Sequence, residues 1–273
     1  MSVYQALLLG IVQGLTEFLP ISSSGHLVLG QEVLGVEEPQ VLFDVMLHVG
    51  TLAAVVLAYR RDLATLARSF VSALASGGLL RRPVETVRAS ADLELLSLLI
   101  VGSIPTALIG LLFQEQLEAA FASPRLVAGM LIVTGSMLHL PRLTAGRPRG
   151  AVGWWQAPLI GLIQGLAIIP GISRSGSTIS IGMLAGVRPA DAARFSFLLS
   201  IPAILGAAIL KLLETDGPTP PLSVLAAGMA ASFLVGYLAL RALLAVLRRG
   251  RLDLFSYYCF ALGLGFLAFL GQG

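Results

Sequence analysis

Gln13-Gly14-Leu15-Thr16-Glu17-Phe18-Leu19-Pro20-Ile21-Ser22-Ser23-Ser24-Gly25-His26 decides the fold, because an altered copy of it lies further along the chain. Laying Gly161–Ser177 over Gly10–His26 gives identities at Gly10/Gly161, Gln13/Gln164, Gly14/Gly165, Leu15/Leu166, Ile21/Ile172, Ser22/Ser173, Ser24/Ser175 and Gly25/Gly176. The differences carry as much information. Glu17 faces Ile168, Ser23 faces Arg174, and His26 faces Ser177. One copy supplies an acid, an extra hydroxyl and an imidazole, and the other supplies a guanidinium. An internal repeat of this kind sets the architecture before any single element is read.

Each copy lies in an apolar stretch, 3–34 or 154–186, that a Pro/Ser/Gly cluster interrupts halfway. Either half is about 10–13 residues, half of the ~20 that a membrane span requires. Both stretches therefore read as re-entrant hairpins: a half-helix in, a polar turn at membrane depth, a half-helix out. Backbone of that kind is tolerated at depth only where protein or a cavity surrounds it. Two ordinary spans kinked at proline are the alternative.

Composition agrees with a membrane setting. The 273 residues are 56% hydrophobic and 12% charged, with a mean hydropathy of +0.88, whereas soluble domains carry about 25% charged residues. The net charge of +3 does not point to nucleic acid, because the arginines are sorted by loop. No basic segment and small-residue cleavage site precede the first apolar run, so no signal peptide is expected. Cys259, the sole cysteine, permits no intrachain disulfide and reads as a bystander in an apolar run.

Six stretches qualify as full spans: 41–59, 93–112, 125–141, 191–212, 222–244 and 254–271. Residues 62–76 place Leu63, Leu66, Ala67, Phe70, Val71 and Leu74 on one helical face, the pattern of a helix lying on the membrane surface. With six crossings and two hairpins, Arg60, Arg61, Arg68, Arg81, Arg82 and Arg88 share one side with Arg142, Arg147, Arg149, Arg188, Arg248, Arg249 and Arg251. Glu37, Glu38, Glu115, Glu118, Glu214 and Asp216 fall on the other. Basic loops stay cytoplasmic, so both termini are expected outside.

Counting crossings then makes the hairpins enter from opposite sides. The expected fold is an all-α polytopic membrane protein, a single membrane domain over 1–273. It comprises two inverted-topology repeats, about 1–141 and 154–273, each a hairpin followed by three transmembrane helices (six full spans and four half-helices in all). The likeness continues beyond the hairpin, where Phe43–His48 matches Phe195–Ser200. Inverted repeats with broken helices put a site near the midplane, where the two turns meet.

The two turns have the residues of an anion site. Ser22-Ser23-Ser24-Gly25 and Ser173-Arg174-Ser175-Gly176 each precede an apolar half-helix. Serine caps a helix, and a helix N-terminus presents free N–H groups and partial positive charge to phosphate. Glycine lets a ligand approach the backbone. A guanidinium at membrane depth needs a partner, and its fork matches phosphate oxygens. The alternative for Arg174 is an ion pair with Glu17 that ties the repeats together. Glu17 is the sole carboxylate in either broken helix, and Gln13 lies one turn earlier on the same face. Beside a pyrophosphate the pair could hold Mg²⁺ or Ca²⁺, hard cations that take carboxylate and phosphate oxygens. His26, directly after the serine turn, is suited to acid or base work. His48, with Asp44 one turn before it, is assigned a supporting role, and His139 a structural one.

These residues resemble the undecaprenyl-pyrophosphate phosphatase family, the bacitracin-resistance type of integral-membrane phosphatase. The motifs that carry the likeness are Gln13 to Glu17, Ser22 to His26, and Pro170-Gly171-Ile172-Ser173-Arg174-Ser175-Gly176-Ser177-Thr178. The resemblance spans nearly the whole chain. It implies hydrolysis of a C55 isoprenyl pyrophosphate to the monophosphate in the bacterial inner membrane, which recycles the cell-wall lipid carrier. It also implies a divalent cation and an active site open to the outer face. Many relatives carry Glu where this chain has Gln13, which leaves a two-carboxylate metal site in doubt. On this reading Glu17, Ser23, His26 and Arg174 are catalytic, with Ser23 the nucleophile. Gln13, Ser22, Ser24, Gly25, Ser173, Ser175, Gly176 and Thr178 bind substrate. Glu17 and Gln13 hold the metal. Partners are the lipid substrate and membrane lipids, with a homodimer admitted as an assembly. A transporter or lipid flippase with an anion site between the repeats is the rival from another class.

Overall fold

The computed structural model describes residues 1–36, 41–121, 123–144, 150–214 and 220–271. These residues form α1 (Val3–Phe18), α2 (Ser23–Val33), α3 (Val41–Ala58), α4 (Arg60–Ala75), α5 (Gly78–Arg81), α6 (Pro83–Arg88), α7 (Ala91–Leu112), α8 (Gln114–Ala120), α9 (Pro124–His139), a 3₁₀ turn (Leu140–Thr144), α10 (Gln156–Leu166), α11 (Arg174–Leu184), α12 (Pro189–Glu214), α13 (Leu222–Arg248) and α14 (Leu254–Leu270). Glu37, Glu38, Arg147, Arg149 and Asp216, which enter the charge pattern, lie outside the described residues.

The chain is an all-helical, multi-pass membrane protein. Among the described residues α7, α9 with the turn that follows it, α12 and α13 are long and apolar enough to cross a membrane. Helices α3 and α4 would count as a fifth span only if taken together, and they meet at a bend of 74°. The expected spans at 41–59 and 254–271 are the shorter helices α3 and α14, of 18 and 17 residues. They sit at the lower end of what a bilayer requires. Large apolar side chains face outward along the long helices, as at Ile100, Ile104, Leu108, Leu234 and Leu238. Lipid explains that exposure where water would not.

The two interrupted stretches each form two short helices separated by a turn, α1–α2 and α10–α11. Pro20 lies just past the end of α1 at Phe18 and Pro170 in the turn beyond the end of α10 at Leu166, where proline, with no N–H to donate, keeps the helix from resuming. The two halves pack by exchange. Helix α1 lies against α13, and α10 lies against α7; α3 lies against α12, and α9 against α14. Thus α1 and α10 each rest on a long helix that follows the other interrupted stretch, α13 and α7. Small residues make these contacts close. A Cβ added to Gly161 would come within 1.8 Å of the Gly102 carbonyl oxygen, and one added to Gly10 within 2.5 Å of the Gly228 carbonyl oxygen. Close backbone approach of this kind is how helices associate when the solvent is as apolar as the core.

Helix α4 turns away from α3 at Tyr59 and buries Leu66 and Ala73, leaving Phe70, Val71 and Leu74 exposed beside its arginines. Asp62 pairs with Arg194 of α12 at 2.5 Å, and Ser69 donates to Asp92 of α7 at 3.0 Å. These bonds pin the amphipathic helix across both halves. Tyr59 and Phe18 both contact the ring of Phe197, with centroids 6.1 and 5.8 Å away, so the bend packs on the same aromatic that supports the end of α1.

Candidate active site

The two serine turns meet. A Cβ on Gly176 would lie 2.9 Å from Cβ of Pro20, so only glycine lets the start of α11 approach the first turn this closely. The Ser175 hydroxyl donates to the Phe18 carbonyl at 3.1 Å, and the Cys259 thiol contacts the Pro20 carbonyl oxygen. Glu17 stands at this junction, at the end of α1, with its side chain 6% exposed.

Both oxygens of Glu17 are engaged. Oε1 accepts from Arg174 Nη2 at 2.6 Å. Oε2 accepts from Ser23 Oγ at 2.6 Å and from Gln13 Nε2 at 3.1 Å. The ion pair left open as an alternative for Arg174 is therefore formed, and it joins the halves across the turns. It does not exhaust the guanidinium, since Arg174 Nη1 is buried without a hydrogen-bond partner. A buried donor with no acceptor is costly, and a phosphate oxygen is the acceptor that a guanidinium fork fits best.

The turns are built differently despite their common sequence. Ser22 is left-handed, with φ at +69°, whereas Ser173 has φ −78° in extended backbone. A non-glycine residue in that region carries strain of the kind that collects at functional sites. The conformation is held from both sides: His26 Nδ1 donates to the Ser22 carbonyl at 2.8 Å, and the Ser22 and Ser24 hydroxyls lie 3.3 Å apart. In the second turn the left-handed residue is Gly171, at φ +93°. Its carbonyl accepts from Thr134 Oγ1 at 2.9 Å, and the same hydroxyl accepts from Ser173 N at 3.0 Å.

Three residues expected to bind substrate spend their hydroxyls inside the protein. Ser173 caps α11, accepting from Gly176 N at 3.2 Å. Ser175 bonds Phe18. Thr178 donates to the Arg174 carbonyl at 2.7 Å and lies 2.6 Å from Ser196 Oγ. The side chains of Ser175 and Thr178 are fully buried. The physical reason is depth: a hydroxyl inside an apolar bundle must find a partner within the fold. These three therefore brace the Arg174 turn from behind. Ser24 and Gly25 lie in the first turn of α2 beside Ser23, and Gly25 passes Val127 of α9, where a Cβ would come within 3.4 Å.

His26 does not point at Glu17. Its Nε2 lies 2.6 Å from the Tyr258 hydroxyl of α14, while its Nδ1 serves Ser22. The imidazole near the carboxylate is His48, with Nε2 3.9 Å from Glu17 Oε2. Asp44, one turn before it, turns its carboxylate to Gln31 at 2.7 Å and offers His48 its backbone carbonyl. The match of Phe43–His48 to Phe195–Ser200 is the sequence signal that ties His48 to the repeat. Tyr258, in a uniformly apolar run, gives none. His139 makes an edge contact with Tyr257, with ring centroids 6.4 Å apart, and has no place in this centre.

Among the described residues no cluster of three His, Cys, Asp or Glu side chains is poised for a metal. The donor set at Glu17 still fits one hard cation. Gln13 Oε1 is buried and without a hydrogen-bond partner, and it shares a helix face with a carboxylate. A cation that draws its remaining ligands from phosphate and water needs no more protein than this.

The chain is similar to known proteins over nearly its whole length. The family model of Bacitracin resistance protein BacA matches residues 6–265. A protein of Desulforapulum autotrophicum named undecaprenyl-diphosphatase is 46% identical over 267 residues, 97% of each chain. One of the same name from Desulfosudis oleivorans is 46% identical over 271 residues, covering 96% of this chain and 97% of its own. Another from Korarchaeum cryptofilum is 41% identical over 99% of this chain and 100% of its own. With the match running over nearly its full length, the chain belongs to the BacA family of bacitracin resistance proteins.

Proposed function

We propose that this protein hydrolyses undecaprenyl pyrophosphate to undecaprenyl phosphate and inorganic phosphate within the membrane. The observation that carries this reading is the Ser23–Glu17–Arg174 centre at the junction of two helix-starting turns. Full-length similarity to proteins named undecaprenyl-diphosphatase supports the choice of substrate.

The chemistry follows from the contacts. Ser23 Oγ donates to Glu17 Oε2, so its lone pairs are free to attack the terminal phosphorus while the carboxylate takes the proton. The bond to the bridging oxygen breaks, and undecaprenyl phosphate leaves with that oxygen. Water then cleaves the phosphoserine, releasing inorganic phosphate. Arg174 Nη1 and the first-turn N–H groups of α2 and α11 hold the oxygens that gain charge. Ser22, Ser24 and Gly25 shape the first turn, and Ser173, Ser175, Gly176 and Thr178 fix Arg174 from behind. His26, one turn beyond Ser23 on α2, is assigned the activation of water in the second step, for which its Nε2 must exchange the Tyr258 hydroxyl for that water. Gln13 and Glu17 would hold a divalent cation, which when bound neutralises phosphate charge. Catalysis of this kind depends mainly on positioning and charge stabilisation.

The topology that goes with this function is two inverted repeats, six crossings, both termini outside and a site reached from the outer face of the inner membrane. The exchange packing of α1 on α13 and α10 on α7 supports the repeat. The loop arginines support the orientation.

Purified protein in detergent, given undecaprenyl pyrophosphate and Mg²⁺, is expected to release phosphate with no second compartment present. Acid quench within the first turnover is expected to trap phosphate on Ser23, and Ser23→Ala is expected to abolish both signals. No release from any isoprenyl pyrophosphate would leave the transporter reading in its place. Release without trapped phosphoserine would assign the attack to water.

A further inference from the structure

His48 contributes a group that the reaction just described does not use. It projects from α3, and its Nδ1 lies 2.8 Å from the backbone carbonyl oxygen of Asp44. A carbonyl only accepts, so Nδ1 carries the hydrogen, and Nε2 of the neutral ring presents a lone pair. That lone pair faces Glu17 Oε2 at 3.9 Å. The separation is too long for an N–H···O bond. Two ligands of one metal, each bonded at about 2.0–2.2 Å, can stand up to ~4.2 Å apart, and the observed separation falls within that limit.

A third acceptor belongs to the same group. Gln13 Nε2 donates to Glu17 Oε2 at 3.1 Å, which brings the Gln13 amide up to the carboxylate. Its Oε1 is buried with no donor. Glu17 Oε2 thus has the His48 imidazole 3.9 Å away and the Gln13 amide nitrogen at 3.1 Å, and the oxygen of that same amide is unmet. A buried amide oxygen without a donor is costly unless something positive reaches it, and the His48 side chain, 37% exposed, leaves its side of the group open to solvent. Arg174 serves the far oxygen, Oε1, at 2.6 Å. The carbonyl behind Nδ1 fixes ring and tautomer as an outer partner does at ligating histidines. Asp44 is itself held, because its carboxylate accepts from Gln31 at 2.7 Å.

We infer that His48 is a nitrogen ligand of the divalent cation held by Glu17 and Gln13, so that the centre is an amide–carboxylate–imidazole site. This rests on the cation reading above and deepens it. An imidazole ligand shifts preference toward the first-row transition metals, of which Mn²⁺ is the weakest binder, and away from Ca²⁺, which takes oxygen. With Arg174 already matching Glu17 in charge, a dication is balanced only when a pyrophosphate arrives. Metal and substrate are therefore expected to bind together.

The test is pulsed electron paramagnetic resonance on Mn²⁺ added to the purified full-length protein in detergent, with methylenediphosphonate as a non-hydrolysable pyrophosphate. A ¹⁴N coupling of the size given by imidazole is expected in the native protein and in His26→Gln, and its loss is expected in His48→Gln. Mn²⁺ affinity in His48→Gln is expected to fall on the order of 10- to 100-fold, with Ca²⁺ affinity changed much less. Mn²⁺ bound without ¹⁴N coupling, coupling that survives His48→Gln, or equal losses for both metals overturns His48 as a ligand and leaves the Glu17–Gln13 cation standing. No Mn²⁺ binding at all overturns both. Should His48→Gln fail to fold, ¹⁵N-histidine labelling in the His26→Gln background decides without touching His48: the pattern must change from ¹⁴N to ¹⁵N, and an unchanged pattern sinks the proposal.

Discussion

Arg174 does two things with one guanidinium. Nη2 closes on Glu17 at 2.6 Å, and Nη1 is buried and unpartnered. A lysine keeps one charge and can keep the ion pair, but it has no planar fork with a second nitrogen fixed beside the first. A hydrogen bond to a charged group contributes about 1.5–3 kcal/mol. Arg174→Lys is therefore expected to lower kcat/KM on the order of 10- to 100-fold, with the melting temperature in detergent nearly unchanged. Arg174→Ala leaves Glu17 buried without its cation and is expected to lose activity further and stability as well, by roughly 3–5 kcal/mol. Measuring both quantities for both variants separates the roles. A fully active lysine enzyme would mean that the guanidinium only ties the halves together, and so would losses that track the folded fraction.

At the scale of elements, the fold depends on how closely α10 approaches α7 and α1 approaches α13. Gly161 has no room for a methyl group, because a Cβ there would sit 1.8 Å from backbone of α7. Backbone cannot rotate aside as a side chain does, so the helices must part. Gly161→Ala is expected to destabilise the protein by about 1–3 kcal/mol, the usual cost of overpacking. Because α10 leads into the second turn, activity should fall with it. Gly206 in α12 is the control. A Cβ there meets nothing within 4 Å, so Gly206→Ala is expected to be neutral or to stabilise by up to ~1 kcal/mol through helix propensity. Thermal unfolding of the two variants side by side checks the pair. Equal melting temperatures would mean that the α7–α10 contact is looser than the backbone approach implies.

For the whole molecule, orientation decides from which side substrate reaches Glu17. The native thiol, Cys259, is fully buried, so an introduced cysteine reports on its own position. Glu38→Cys and Gly217→Cys are expected to react with an impermeant maleimide added to intact cells, and Gly146→Cys only after the cells are opened. The reverse pattern would turn the protein over in the membrane and give the site to the cytoplasm. Reaction of all three from one side would require an even number of crossings between each pair and would remove the six-span arrangement.

Much of this protein is determined by order along the chain. Mean hydropathy, the interrupted stretches at 3–34 and 154–186 and their shared residues fix an all-helical membrane protein with two broken segments. They do so because a bilayer admits few ways to satisfy a backbone. Glu17, Ser23 and Arg174 are legible as one centre for the same reason: polar groups at that depth must find each other. What remained hidden depends on where separate helices come to rest. Nothing local tells whether Asp44 meets His48 through its backbone carbonyl or its carboxylate, yet α2 brings Gln31 to the carboxylate, leaves the carbonyl to accept from His48 Nδ1, and leaves His48 facing Glu17. Tyr258 reads as one more aromatic in a lipid-facing run until α14 lays it against His26. The hydroxyls of Ser173, Ser175 and Thr178 look in sequence like phosphate ligands, and only packing shows their partners to be protein. A side chain's type and spacing say what it can bond. Which bond it makes is chosen by the neighbour that the tertiary structure delivers, and in a dry interior the nearest satisfying partner wins.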